Sequence, residues 1–342
     1  MRIFLYEFTC CSALSQQPAA ALSDEGRAML GALLEDFRGI GGAHVVTMQT
    51  AARAFPRPAP GVRVVDAGDE ETTFRELAGS AEFTLVIAPE LDEILSTRCR
   101  WVVDSGGCLL GPTCSAVRLT GDKWALCNHF RQHEIPTPDS LLFDAGRAIP
   151  QCRYPAVWKP RHGAGSWATY LIRGPEEWLP CRLQREKEVF HGESLVQPFV
   201  PGLAASISFL IGRADCIPLV PAEQQLSADG RFHYRGGRLP LPHDLAARAI
   251  RLAQRAVATV PELRGYVGVD VILGDAADGS GDLVMEINPR VTTSYIGLRA
   301  LTGGNLAELI LQLVQGKKPA EIRWKNAVVH FQADGTVTLL AR

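Results

Sequence analysis

The sequence predicts an α/β domain of the doubly wound kind followed by segments that mix strands and helices, and three observations carry that prediction. Strands and helices alternate from Arg2 to Ala88, the pattern of a small parallel sheet. Two β-branched runs, Val267 to Leu273 and Leu283 to Ile287, flank the turn-rich Gly274 to Asp282 and read as a hairpin. The chain of 342 residues, 46% hydrophobic and 21% charged, has the balance of a folded protein and the length of two or three domains.

In the first part, Arg2 to Phe8, His44 to Met48, Val62 to Asp66 and Thr84 to Ala88 read as strands. Asp24 to Phe37, with Ser23 as a plausible cap, and Thr73 to Ala78 read as helices, and the proline-rich Phe55 to Gly61 as a loop. No GxGxxG follows the first strand, so a dinucleotide fingerprint is missing. A second segment begins near Gly111-Pro112. Its helix, from about Gly121 to His133, is stopped by Ile135-Pro136-Thr137-Pro138, because a residue before proline is pushed out of the α region. Strands are expected at Ala156 to Pro160 and Trp167 to Ile172, joined by His162-Gly163-Ala164-Gly165-Ser166, with a helix at Glu176 to Arg182. The third segment opens at Glu193 to Gly202 and continues with a strand at Ser206 to Ile211 and a long helix from Asp244 to Val260. After the hairpin come a helix from about Leu306 to Val314 and a strand pair near Ala327 to Leu340.

A net charge of −2, with both signs mixed throughout, gives no basic stripe for nucleic acid or an anionic membrane. No run approaches the roughly 18 apolar residues that span a bilayer, and the N-terminal apolar run is too short for a signal peptide. Nine cysteines without CxxC pairing support neither a disulfide framework nor a zinc knuckle, and the expected compartment is the cytoplasm. Cys10-Cys11 fits buried packing better than a reactive pair.

The hairpin carries the chemistry. If its strands pair in register, the carboxylates of Asp270 and Glu286 and the amide oxygen of Asn288 project to one face, since Glu286 and Asn288 are two apart on a pleat. Hard oxygens so grouped suit Mg²⁺ (or Mn²⁺) at an ATP site, and Arg290 beside them suits bidentate contact with a phosphoryl or carboxylate oxygen. The competing reading is a hairpin with charged ends at the surface. Lys159 ends an apolar strand before a glycine-bearing turn, where its ammonium can reach a phosphate cradled by the N–H groups of Gly163 to Ser166. That turn is also compatible with an ordinary hairpin tip. Lys123 stands in the first turn of a helix, where the positive end of the macrodipole disfavours a cation. A role against an anion explains it, and a solvated surface lysine is the alternative. His129 and His133, spaced i, i+4, lack a third zinc ligand, and Ser166 lacks a GxSxG setting.

Taken together, Gly121-Asp122-Lys123, the Ile135 to Pro138 stop, Lys159 with its glycine loop, Val196-Gln197-Pro198-Phe199-Val200-Pro201-Gly202, Asp270, and Glu286-x-Asn288-Pro289-Arg290 resemble, in that order, the ATP-grasp superfamily. The resemblance implies an ATP-grasp fold, α/β and α+β: a doubly wound pre-ATP-grasp α/β domain over 1–112 and two α+β halves, a small lid subdomain over 113–192 and a large C-terminal subdomain over 193–342. It implies that Lys123 and Lys159 contact the ATP phosphates, that Gly163, Gly165 and Ser166 belong to the flap, and that Gln197 and Phe199 meet adenine at the hinge. Asp270, Glu286 and Asn288 are implied as metal ligands, with Arg290 stabilising the transferring phosphoryl group. One departure concerns ribose: Leu203-Ala204-Ala205-Ser206 follows Gly202 where many members have an acidic residue. The implied chemistry is carboxylate–amine ligation through an acyl phosphate, on small-molecule substrates. The runs Glu286 to Leu298 and Leu5-Tyr6-Glu7-Phe8 are similar to the tyramine–glutamate ligases of methanofuran-type cofactor biosynthesis, which implies γ-glutamylation of an aromatic amine. Thr9-Cys10-Cys11-Ser12 departs from that group, where a glycine-rich turn is expected. Thr292, Thr293, Tyr295 and Arg299 are then candidates for contacting the acceptor, the alternative being that they only shape a turn and a helix start. An ATP-binding sensor or scaffold and a phosphotransferase are the alternatives, and a homo-oligomer is compatible with the chain.

Overall fold

The computed structural model describes residues 1–11, 19–50, 62–66, 68–144, 149–188, 190 and 192–341. The predicted loop Phe55 to Gly61 and Ser12 lie outside them. Strands β1 (Arg2–Glu7), β2 (His44–Gln49), β3 (Val62–Asp66) and β4 (Phe83–Ile87) form a parallel sheet of order β3-β2-β1-β4. Ile3 to Tyr6 are fully buried, as expected of a central parallel strand covered on both faces. Helices α1 (Phe8–Cys11), α2 (Ala19–Arg38), α3 (Glu70–Ser80) and α4 (Ile94–Asp104) complete this part. The first strand ends one residue earlier than predicted, because the Glu7 carboxylate accepts the Thr9 hydroxyl and the Cys10 N–H, both at 2.8 Å, and so turns the chain into α1. Cys10 and Cys11 are buried there, and no disulfide joins any of the nine cysteines. Ser23 is not a cap, since α2 already runs from Ala19. Helix α3 starts ahead of Thr73 because the Asp69 carboxylate accepts Thr72 N–H. Helix α4 had no start signal: its N-cap, Glu93, is left-handed and makes no side-chain cap bond.

A second sheet contains β5 (Leu141–Phe143), β6 (Ala156–Pro160), β7 (Tyr170–Ile172) and β8 (Ser194–Pro198) in the order β5-β8-β6-β7, all antiparallel. Its small core centres on Trp158, Trp178, Phe143 and Tyr170. Helix α7 (Trp178–Lys187) covers it, entered through a 3-10 turn at Pro175–Glu177. The predicted helix from Gly121 to His133 is two helices, α5 (Cys114–Gly121) and α6 (Lys123–Gln132). The break is Asp122, whose carboxylate caps α6 by accepting the N–H groups of Trp124 and Ala125 at 3.0 and 3.1 Å. The predicted strand Trp167 to Ile172 shortens to β7, because Ser166 and Ala168 are left-handed, with φ of 56° and 49°.

The third sheet is eight-stranded and antiparallel. It holds β9 (Leu203–Ile211), β10 (Cys216–Pro218), β11 (Ala222–Leu226), β12 (Tyr234–Leu239), β13 (Gly265–Leu273), β14 (Leu283–Asn288), β15 (Ala327–Gln332) and β16 (Val337–Ala341). The order is β14-β13-β9-β11-β12-β15-β16, with β10 on β9. Helix α8 (His243–Thr259) packs its alanine- and leucine-rich face on β13 and β9, while α9 (Ser294–Leu301) and α10 (Leu306–Val314) join this sheet's core to that of the first. Gly202, just before β9, has φ of 146°, and a Cβ there would come within 2.5 Å of the Leu273 carbonyl oxygen, so only glycine lets the chain cross β13 this closely.

The hairpin turn is fastened from α8. Buried Arg248 donates from Nε to Asp282 Oδ2 at 3.0 Å and from Nη2 to the Gly274 carbonyl at 2.7 Å, while Asp282 Oδ1 accepts Gly274 N–H at 2.9 Å. Removing one member strands a buried charge. Asp282→Ala is expected to lower unfolding free energy by about 3 kcal/mol, read from the urea midpoint; an unchanged midpoint would mean that the turn holds without this pair.

Candidate active site

A cleft of about 630 Å³ lies between the second and third sheets, closed at one end by α2 of the first part. Lys123, Lys159, Gly163, Gly165, Ser166, Gln197, Phe199, Asp270, Glu286, Asn288 and Arg290 all line it, so the structure brings together every residue that the sequence singled out for nucleotide, metal or phosphoryl contact.

The floor is set by strand register. Asp270 on β13 stands opposite Glu286 on β14 and opposite Ser206 on β9, and Gly268 stands opposite Asn288. The polar side chains therefore share one face. The register of β13 and β14 shifts next to Asp270, so a bulge adjoins the two carboxylates. Asp270 is held on two sides: Gln224 Nε2 donates to Oδ1 at 3.0 Å and Asn288 Nδ2 to Oδ2 at 2.9 Å. Burial, then the neighbouring Glu286 charge, pushes the Asp270 carboxyl up to about 7. Burial acts on Glu286 in the same direction, but the ammonium groups of Lys123 and Lys159 outweigh it and hold Glu286 below the usual carboxylate range. Below about pH 7 a proton thus sits on Asp270 beside an ionised Glu286. A divalent cation fits the donor set: two carboxylates and the Asn288 oxygen are hard ligands, and a cation would take the place of that proton. Among the described residues no group of three His, Cys, Asp or Glu side chains could hold a metal, so a cation held here would draw its third protein oxygen from an amide.

The cations arrive from three directions. Lys123 is the first residue of α6, and its ammonium leaves the helix end to donate to the Gly163 carbonyl at 2.7 Å and pair with Glu286 at 3.3 Å. The Asp122 cap that starts α6 also receives Arg161 Nε at 2.8 Å, which ties the helix to the chain after β6. Burial lowers the Lys159 ammonium to about 8; Glu286 opposes that and Lys123 adds to it. Arg290 closes a fork on Glu90, Nε to Oε1 at 2.9 Å and Nη2 to Oε2 at 3.1 Å, and burial fails to lower it because Glu90 outweighs the cost. The loop between β6 and β7 covers these groups. At its tip Gly165 has φ of 66°, and a Cβ there would fall 2.5 Å from Leu22 Cδ2 of α2. At the opposite side Phe199 stacks on Phe232 with centroids 6.2 Å apart, and buried Gln197 adjoins it.

Of the acceptor candidates, Thr292 and Thr293 line the cleft. Tyr295 and Arg299 do not. The Tyr295 hydroxyl donates to Asp36 at 2.6 Å and Arg299 forks onto Asp36 and Glu35, so both dock α9 on α2. His129 and His133 pack ring to ring at 4.4 Å, with His129 Nε2 at 2.9 Å from the Thr259 carbonyl. Sequence reasoning missed Glu25, Glu90, Ser206, Gln224, Phe232 and Tyr234. The two glutamates lie in no local motif, and β11 and β12, which bring Gln224 and Tyr234, have weak strand patterns.

The comparisons agree with this geometry. An ATP-grasp domain model matches residues 120–294, just over half of the chain, and a pre ATP-grasp 3 domain model matches residues 44–117. The chain is 24% identical to a tyramine–L-glutamate ligase of Methanocaldococcus fervens over 91% of its own length and 93% of the relative's. It is 26% identical to the tyramine–L-glutamate ligase of Methanocaldococcus jannaschii over 80% and 75%. A solved ATP-grasp superfamily protein from Archaeoglobus fulgidus superposes with a TM-score of 0.70 at 23% identity, covering 96% of this chain and 92% of that one. Parallel first sheet, small antiparallel sheet, large antiparallel sheet and the cleft between the last two are thus the parts of a known architecture: the chain belongs to the ATP-grasp family.

Proposed function

We propose that this ATP-dependent carbon–nitrogen ligase activates a small carboxylic acid as its acyl phosphate and passes the acyl group to an amine, with glutamate as the acid and an aromatic amine of the tyramine kind as the acceptor, in a methanofuran-type cofactor pathway. The observation that carries the reading is the convergence of Lys123, Lys159 and Arg290 on the Asp270, Glu286 and Asn288 oxygens in one cleft. The choice of glutamate and tyramine is supported by the two methanogen relatives.

Phosphoryl transfer asks for positioning and for positive charge on the equatorial oxygens. Lys159 and Lys123 stand where the phosphates would lie beneath the Gly163 to Ser166 loop, whose N–H groups supply further donors. A triphosphate beside Lys159 would restore the charge that burial weakens. Asp270, Glu286 and Asn288 would hold Mg²⁺, which would supply positive charge against the charge that develops on the phosphates. The substrate carboxylate attacks the γ-phosphorus and the bond to ADP breaks. The amine nitrogen then attacks the acyl carbon, phosphate departs with the electron pair of the C–O bond, and the amine's proton leaves with it or to water. Arg290, fixed by Glu90, is placed to stabilise the phosphoryl oxygens in both steps. The flap, packed on Leu22, keeps water from the acyl phosphate. The Phe199–Phe232 stack and Gln197 form the side that would take adenine.

The test is ADP release by the purified protein with MgATP, glutamate and a panel of amines, with mass detection of the amide. Glu286→Gln and Lys159→Ala are each expected to lower kcat by about a thousandfold or more while circular dichroism and melting temperature stay near those of the parent; undiminished turnover in either variant would remove the assignment. Metal binding should also be linked to protons. Because Asp270 holds its proton up to about 7, Mn²⁺ affinity is expected to rise about tenfold per pH unit below 7 and to level off above it. Titration calorimetry at pH 6 in buffers of different ionisation enthalpy should register release of about one proton; a flat pH profile would argue against Asp270 as a ligand.

A further inference from the structure

Six charged side chains line the cleft among the described residues: Glu25, Lys123, Lys159, Asp270, Glu286 and Arg290. Lys123 pairs with Glu286 at 3.3 Å, Arg290 is forked on Glu90, and Lys159 lies in the field of Glu286 and Asp270. Glu25 comes from α2 and is, among the described residues, the single cleft-lining residue that the first part contributes. Its hydrogen bond is to a neutral group, the Thr293 hydroxyl at 2.9 Å from Oε2, and Arg290 attracts it through space with its own fork closed on Glu90. A half-buried carboxylate that shares the cation it feels with another acid gains from a ligand that brings one.

We propose that Glu25 binds the acceptor substrate as its cationic ammonium, so that the enzyme prefers amines to alcohols of the same shape; the bound ammonium gives one proton to water, and the lone pair so freed attacks the acyl carbon. The inference rests on the ligase reading and names the group that makes the choice. Its position suits that task. Thr293, which holds Glu25, lies three residues beyond Arg290, and Arg290 feels the Glu25 charge, so the carboxylate sits at the Arg290 end of the cleft. The phenol of Tyr234 also lines the cleft and is kept neutral mainly by burial and further by the charges of Glu25 and Asp270, so it adds no charge of its own beside Glu25. Leu22, one helical turn before Glu25 and on the same face of α2, carries the tip of the flap at Gly165. Closing the flap over the phosphates therefore also covers the amine's anchor, and in the dry site the ammonium–carboxylate attraction strengthens. Glu25 touches the acceptor and none of the groups proposed for phosphoryl transfer.

The experiment compares the full-length protein with Glu25→Gln, which is isosteric and keeps an oxygen for Thr293. Binding is measured by calorimetry with Mg²⁺ and a non-hydrolysable ATP analogue present, using matched amine and alcohol pairs: tyramine with 4-hydroxyphenylethanol, and 2-phenylethylamine with 2-phenylethanol. The parent is expected to bind at least one amine about tenfold or more tighter than its alcohol, and Glu25→Gln to abolish the difference. In turnover, KM for the amine should rise by a similar factor in the variant, while KM for ATP holds and hydroxamate formation with neutral hydroxylamine continues at the parental rate. No preference for any amine in the parent, a preference that survives in Glu25→Gln, or equal loss of hydroxamate formation would each overturn the assignment. The ligase reading fails separately: an ammonium preference without ADP release leaves Glu25 as a cation site in a protein that is not this ligase, whereas amide formation with an unchanged amine KM in the variant leaves the ligase and removes Glu25.

Discussion

The site depends on the registration of three neighbouring strands. Pairing β13 with β9 on one side and β14 on the other places Ser206, Asp270 and Glu286 abreast, with Asn288 one pleat further on. A slip of one residue on either side would send a carboxylate to the opposite face of the sheet. The protein fixes the register from outside the site. Arg248 grips the turn through Asp282 and the Gly274 carbonyl, Gly202 admits the close crossing before β9, and the Val284 N–H is taken by the Pro136 carbonyl at 2.8 Å.

Once the carboxylates are fixed, their mutual repulsion organises the cations. Two acids in one dry place cannot both ionise without compensation, and Lys123 and Lys159 provide enough to ionise Glu286 while Asp270 keeps its proton. Each lysine comes from a different element, one from the first residue of α6 and one from β6, so the cleft has its charge pattern only when the second sheet sits over the third. The first part adds the remaining pieces: Glu90 orients Arg290, Asp36 docks α9, and Glu25 enters the cleft.

Legibility in the sequence followed locality. The hairpin could be read because its ligands recur with a period of two beside a turn, and Lys159 because an apolar strand and a glycine loop flank it. Lys123 was noticed through its conflict with the helix dipole, and the conflict resolves in Asp122, which caps the same helix and carries negative charge there. What could not be read is long-range. Glu90 meets Arg290 across 200 positions and Glu25 meets Thr293 across 268, with no pattern near either glutamate to announce it. Tyr295 and Arg299 misled for the same reason: polar residues next to a functional motif suggest a ligand, but α9 turns them toward α2.

The Glu90–Arg290 fork also bears on how the molecule comes into being. During synthesis Glu90 emerges early and Arg290 late, and the sheet beside the cleft still awaits β15 and β16, which pair through β12. A nascent chain has all the strands of its parallel sheet and of its small antiparallel sheet before the Arg290 guanidinium is made. Such sequence-distant closure slows folding, and a truncated product stopping short of Arg290 would keep Lys123 and Lys159 but leave the Glu90 carboxylate without its partner.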